Sequence, residues 1–226
     1  MGDIFLMNKL DVLYEDNHVI VVVKPCNILS QADITGDLDM LTLIKGYLKE
    51  KYQKPGNVYL GLVHRLDRPV GGIMVFAKTS KAAARLSKQV QKHELEKQYY
   101  AIICGKMNDK KGEFCDHLKK LSNGNTIVVS SDDSEGKEAK LSYQVVKEEG
   151  NYSLVRIQLL TGRHHQIRVQ FASRGYPLLG DRRYGGENAP RLALFSYHLA
   201  FYHPIKKEKL IFEKAPSGEV WQLFFS

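Results

Sequence analysis

A chain of 226 residues, 43% hydrophobic and 26% charged, has an ordinary globular composition, long enough for one large domain or two small ones. No apolar run approaches the roughly 20 residues that span a bilayer, and the opening MGDIFLMNKLDVLYED acquires acids too early for a signal peptide. Thirty-three lysines and arginines against twenty-five acids leave a net charge of +8, which favours phosphate polymers as partners without identifying one.

Residues 12–15 and 18–24 read as strands around the turn pair Asp16-Asn17, the second apolar on both faces and stopped by Pro25. Leu41, Ile44 and Leu48 recur at helical spacing, with Asp39 as a cap. Residues 59–63 and 73–77 are apolar runs around a polar segment, 64–72, which predicts a loop braced by two strands, a common place for reactive groups. Ser80 is placed to cap a helix running to about His93, with Ala83, Leu86 and Val90 on one side. Residues 98–104 read as a strand ended by Gly105, and 122–138, rich in Ser, Asn, Asp and Gly, as a mobile surface hairpin or loop. Residues 141–147 and 152–160 form a predicted hairpin. A turn at Thr161-Gly162 then leads into a helix ending at Gly175, and 192–202 and 209–212 are late strands. Strands outnumber helices and short turns join them, so the expected class is α+β, a mostly antiparallel mixed sheet with flanking helices, in a single domain over 1–226.

Three segments concentrate ionisable and aromatic groups: His64-Arg65-Leu66-Asp67-Arg68, Lys97-Gln98-Tyr99-Tyr100-Ala101 and Thr161-Gly162-Arg163-His164-His165-Gln166-Ile167-Arg168. Asp67 stands between two arginines, and a guanidinium within about 4–6 Å lowers a carboxyl pKa by roughly 1–3 units, keeping it ionised. A nucleophile and a structural ion pair both satisfy that pattern. From Arg163 to Arg191 there are six arginines against Asp181 and Glu187, and the planar guanidinium suits phosphates and base edges. His64, Asp67, His164 and His165 carry metal-ligating groups, but no spacing matches a zinc motif and the flanking arginines repel a dication. Cys26, Cys104 and Cys115 make an odd count in apolar contexts, pointing to a reducing interior and no thiol nucleophile. Gly2 is followed by Leu6 where a myristoylation signal has Ser or Thr. A soluble, cytoplasmic protein with no metal or cofactor is expected.

The stretch LVHRLDRPVGGIMVFAKT, containing His64 to Asp67, resembles the HRLD signature of the RluA-type branch of RNA pseudouridine synthases. DVLYEDNHVIVVVKP resembles that family's opening strand pair, KQYYAIICG its tyrosine-bearing segment and LLTGRHHQIRVQFASRGYPLLGDRRYG its late motif, all in the family's order. The resemblance implies that Asp67 is the catalytic aspartate, that Tyr99 packs on the target base and takes its proton, and that Arg168 pairs with the aspartate. It implies that Arg65 fills the place of a flipped nucleotide, with His64, Arg163, Arg182 and Arg183 on the substrate side. Tyr100 falls at a variable position and reads as core. Val70-Gly71-Gly72 replaces the Thr-Ser-Gly of many relatives, and the first strand begins near residue 11, which leaves no room for a separate basic module. The implied activity is isomerisation of uridine in ribosomal or transfer RNA, with no action on DNA expected; the sequence shows no surplus apolar stripe, so a monomer is expected. A non-catalytic RNA-binding protein and a small hydrolase are the alternatives, and the hydrolase lacks a Gly-x-Ser-x-Gly turn.

Overall fold

A computed structural model describes residues 10–225; the reading of Gly2 and Leu6 against lipidation lies outside them. In chain order the elements are β1 (Asp11–Glu15), β2 (Val19–Lys24), α1 (Met40–Lys51), β3 (Gly61–Leu62), β4 (Gly71–Ala77), α2 (Ser80–Gln91) and β5 (Glu96–Cys104). There follow β6 (Lys111–Lys120), β7 (Thr126–Val129), β8 (Lys137–Glu149), β9 (Tyr152–Leu159), α3 (Gln166–Ala172), β10 (Leu194–Tyr202) and β11 (Lys209–Glu213). They divide into two compact units, the described residues up to Leu95 with His198–Lys214, and Glu96–Tyr197 with the residues from Ala215 on.

In the first unit the Asp16 carboxylate accepts the N–H groups of His18 and Val19, closing the turn that pairs β1 with β2 antiparallel. Strand β2 pairs in turn with β4, from Val19↔Ala77 to Lys24↔Gly72. Val19 to Val22 are fully buried, as a run apolar on both faces requires. The run at 59–63 narrows to the two-residue β3, and a Cβ on Gly61 would stand 2.9 Å from Ala83 Cβ of α2, so only glycine lets strand and helix approach this closely. Asp39 caps α1 as expected, accepting from the N–H groups of Leu41 and Thr42. Helix α2 is capped by Thr79 rather than Ser80, because the extended backbone at Thr79 aims its hydroxyl at the Ala82 N–H. The buried faces of β2, β4, α2 and β10 meet in a core that includes Val21, Ile73, Val75, Leu86, Leu199 and Phe201.

Glu15 collects Lys51 at 2.7 Å, Lys78 at 2.6 Å and the Tyr52 hydroxyl at 2.8 Å. Burial pushes its carboxyl up, but hydrogen bonds from Lys51, Lys78 and Tyr52 outweigh burial and hold the pKa at about 2 instead of 4.5. A folded value below the unfolded one gives stability that is complete above pH 4.5 and is lost as pH falls through 2. Glu15→Gln is therefore expected to melt below wild type at pH 7 and to converge with it near pH 2. Parallel melting curves across that window would remove Glu15 from the acid response.

The second unit orders its strands β5-β9-β8-β6-β7, each pair antiparallel. Strand β6 is absent from the sequence reading because its side chains are mostly polar; only Phe114 and Leu118 are buried, while its backbone pairs with β7 and β8 on either side. Residues 122–138, read as a mobile hairpin or loop, contain β7 and the first residues of β8. The helix expected up to Gly175 is only the seven residues of α3. The Gln166 side chain accepts from the Thr161 hydroxyl at 2.8 Å and the Arg163 N–H at 3.0 Å, holding the preceding residues in a turn, and His165 takes a left-handed φ of 52°. Phe114, Tyr143 and Phe171 pack ring on ring, and Ile102, Leu154, Leu179 and Trp221 form a second cluster. Antiparallel ladders with separate helices make the class α+β, as expected. No helix among the described residues is long and apolar enough to cross a membrane.

Candidate active site

Asp67 lies where the sequence places it, in the turn between β3 and β4, with hydrogen bonds to backbone atoms on both sides of it. Val70 N–H donates to the Asp67 carbonyl at 2.9 Å. One residue before, the Ser30 hydroxyl donates to the Leu66 carbonyl at 2.7 Å and accepts the Leu66 N–H at 3.1 Å. One residue after, the Arg68 carbonyl accepts from Asn27 N–H at 2.8 Å and from the Lys24 ammonium at 3.1 Å. The same ammonium donates to the carbonyls of Pro25 and Ile28, and Lys24 is fully buried. Burial pushes its pKa down to about 8; the Cys26 and Asp67 charges oppose that shift and Arg68 adds to it. A desolvated cation thus stands within electrostatic reach of the half-buried Asp67 carboxylate.

The Arg68 guanidinium pairs with Asp37 at 2.7 Å, and Arg65 is exposed. His64 is buried, and its Nε2 accepts the Val75 N–H of β4 at 3.1 Å, which ties the start of the loop to the strand that ends it. Sequence reasoning missed Ser30 and Lys24. The Lys24-Pro25 pair at the end of a fully apolar strand was the available signal, since a lysine in such a run has to be buried with acceptors around it.

In the second unit Tyr99 is buried on β5, opposite Ile157 of β9. Tyr100 alternates to the other face, stacking on Tyr197 at 4.0 Å, a core position as expected. Arg168 is buried on α3, and its Nε and Nη2 both donate to Asp181, each at 2.7 Å. The Tyr184 ring covers the guanidinium carbon at 5.1 Å. This fork-on-fork geometry fixes the guanidinium plane. Asp181, counted in the sequence only as an acid among arginines, is the partner that reading overlooked.

Next to it, His164 Nδ1 lies 2.9 Å from the Thr126 hydroxyl and His165 Nδ1 2.8 Å from the Tyr184 hydroxyl, the two rings stacked at 3.7 Å. Burial first, then Arg168, His164, Arg183 and Lys120, push the His165 pKa down to about 3. Its ring is therefore neutral near pH 7, and the Tyr184 hydroxyl accepts the Thr126 N–H while sharing a hydrogen bond with His165 Nδ1. Arg163, Arg182 and Arg183 are exposed, each bonded at one point, to Glu138 O, Asn188 and Gly124 O respectively. The arginine-rich stretch is thus not one solvated face, since Arg168 and Arg174 are taken by Asp181 and Asp116. No group of three metal-ligating side chains is assembled among the described residues.

Residues 18–173 match the profile of a family described as RNA pseudouridylate synthase. An RNA pseudouridine synthase of Aquifex aeolicus is 34% identical over 221 residues, covering 90% of this chain and 68% of that protein. The ribosomal large subunit pseudouridine synthase D of Zymomonas mobilis is 31% identical, covering 95% of this chain and 72% of its own. Among solved structures, human RNA pseudouridylate synthase domain containing 4 superposes with a TM-score of 0.80 at 21% identity, over 95% of this chain and 93% of that one, which is a likeness of fold.

Proposed function

The chain belongs to the RNA pseudouridylate synthase family and isomerises uridine in RNA to pseudouridine, and we propose that Asp67 carries the chemistry, with Tyr99 and Arg168 acting in the same reaction. The observation that supports this assignment most directly is the Asp67 turn itself. Its backbone is held on both sides by Ser30 and Lys24, so the carboxylate is presented by a rigid support with a buried cation behind it.

The reaction breaks the bond from ribose C1′ to base N1, turns the base and joins C1′ to C5; C5 then gives up its proton and N1, freed from the sugar, takes one up. Atoms and electrons balance within the nucleotide. The carboxylate serves as nucleophile at C1′ or at the base ring, or as the base of a sugar elimination, and an ionised Asp67 suits all three routes. Tyr99 accepts the C5 proton, and Arg168, with its plane fixed by Asp181, stabilises negative charge as it develops. The uridine has to leave its stack at a cost of a few kcal/mol, lowest in loops. Arg65, exposed two residues before Asp67, fills the gap, and Arg163, Arg182 and Arg183 meet flanking phosphates. Ribosomal large subunit RNA is the proposed substrate, after the Zymomonas mobilis relative's name. The proposed setting is the cytoplasm.

Purified protein incubated with large-subunit RNA, and separately with transfer RNA, in the presence of a chelator is expected to form pseudouridine at discrete positions of the ribosomal substrate. Detection is by mass spectrometry after base labelling. Conversion of transfer RNA alone overturns the substrate assignment, and conversion of neither overturns the activity.

A further inference from the structure

The segment Lys97-Gln98-Tyr99-Tyr100-Ala101 supplies Tyr99 to the proposed reaction and leaves Lys97 without a task. Residues two apart on a strand share a face, so on β5 Lys97 points to the same side as Tyr99. The lysine tip lies against the turn that precedes α3: a Cβ built on Gly162 would stand 3.4 Å from Lys97 Nζ. Gly162 and Arg163 are both exposed there, so the ammonium sits just under an open part of the surface.

Every other buried or half-buried cation described above has an acceptor. Lys24 has three carbonyls, Arg168 has Asp181, and Lys78 has Glu15. Lys97 has neither a hydrogen bond nor an ion pair among the described residues, and burial alone pushes its pKa down. Shielding a cation without an anion works against folding. An ammonium kept in that condition beside the residue that is to meet the uridine is suited to an anion arriving with the substrate, and in RNA that anion is a phosphodiester.

We propose that Lys97 binds a backbone phosphate of the RNA next to the uridine on which Tyr99 acts, with Gly162 leaving room for the phosphate to approach. This assignment rests on the reading that Tyr99 meets the target base. Gly162 carries no side chain to obstruct the ammonium, and exposed Arg163 stands one residue further along the same turn, so a phosphate held by Lys97 has a second cation at hand.

The test compares wild type, Lys97→Met and Lys97→Arg for affinity to a stem-loop transcript of large-subunit RNA containing a converted uridine, from 50 to 300 mM KCl. One lost phosphate contact lowers the slope of log K against log salt by about 0.7–0.9, and we expect that change in Lys97→Met together with a roughly five- to tenfold weaker Kd near 0.1 M salt. The melting temperature of Lys97→Met is expected to equal or exceed that of wild type, since a desolvated charge is removed. Lys97→Arg is expected to keep the wild-type slope. Unchanged affinity and slope in Lys97→Met overturn the proposal, and so does a lowered melting temperature with RNA binding intact, which assigns the lysine to the fold. Wild-type protein that forms no pseudouridine on this transcript marks a failure of the activity reading, whatever Lys97 does.

Discussion

Asp67→Asn is expected to abolish pseudouridine formation while leaving folding and RNA affinity close to wild type. The side chain is nearly isosteric, and the bonds to the backbone of Leu66, Asp67 and Arg68 are untouched by the substitution. What disappears is one negative charge. Loss of an essential ionised group costs on the order of 10⁴ in rate, about 5.5 kcal/mol of barrier. A second readout follows from the electrostatics. Asp67 is one of two groups that hold the Lys24 pKa up towards about 8, so removing its charge lowers that value further. Residual conversion within tenfold of wild type would take the chemistry away from Asp67. An unshifted Lys24 titration, followed by isotope-labelled lysine NMR, would separate the two groups.

Asp181→Ala is expected to be strongly destabilising to the second unit. Arg168 is buried, and the change removes both of its charge-assisted bonds to Asp181, together with the carboxylate that accepts the Arg183 N–H at 3.2 Å. Breaking one side of a buried ion pair costs about 3–5 kcal/mol, because the remaining charge stays desolvated. Urea unfolding is expected to show that loss as a lower midpoint with an unchanged slope. Asp181→Asn keeps one acceptor oxygen and is expected to fall between Ala and wild type. A midpoint for Asp181→Ala within a few tenths of a molar of wild type would mean that Asp181 does not hold Arg168 in solution. Activity is expected to fall with stability in this series, since the plane of the Arg168 guanidinium is set by the same two bonds.

Some of this arrangement is legible in one dimension. The turn at Asp16-Asn17, the cap at Asp39, the strand buried on both faces and the loop carrying Asp67 between two strands all follow from local rules. Capping needs a side-chain oxygen two or three residues from an N–H, and burial on both faces needs an uninterrupted apolar run. Four motifs in the right order also carry the family, over most of the chain. The misses have a common cause. Strand β6 pairs through its backbone while its side chains stay largely polar, so periodicity carries little signal. Helix α3 is short because a glutamine side chain takes up the turn that precedes it, a competition that helix propensity does not count.

The partners of the charged groups lie beyond local rules altogether. Arg68 is adjacent to Asp67 in sequence yet pairs with Asp37, and Arg168 takes an aspartate thirteen residues further on. Chemical identity, the presence of a carboxylate, a tyrosine and a guanidinium in family order, was determined by the sequence alone. Which cation each carboxylate meets, and which lysine has no acceptor, was decided by tertiary structure. Coulomb and hydrogen-bond energies depend on distance and burial in space, and neither is a function of separation along the chain.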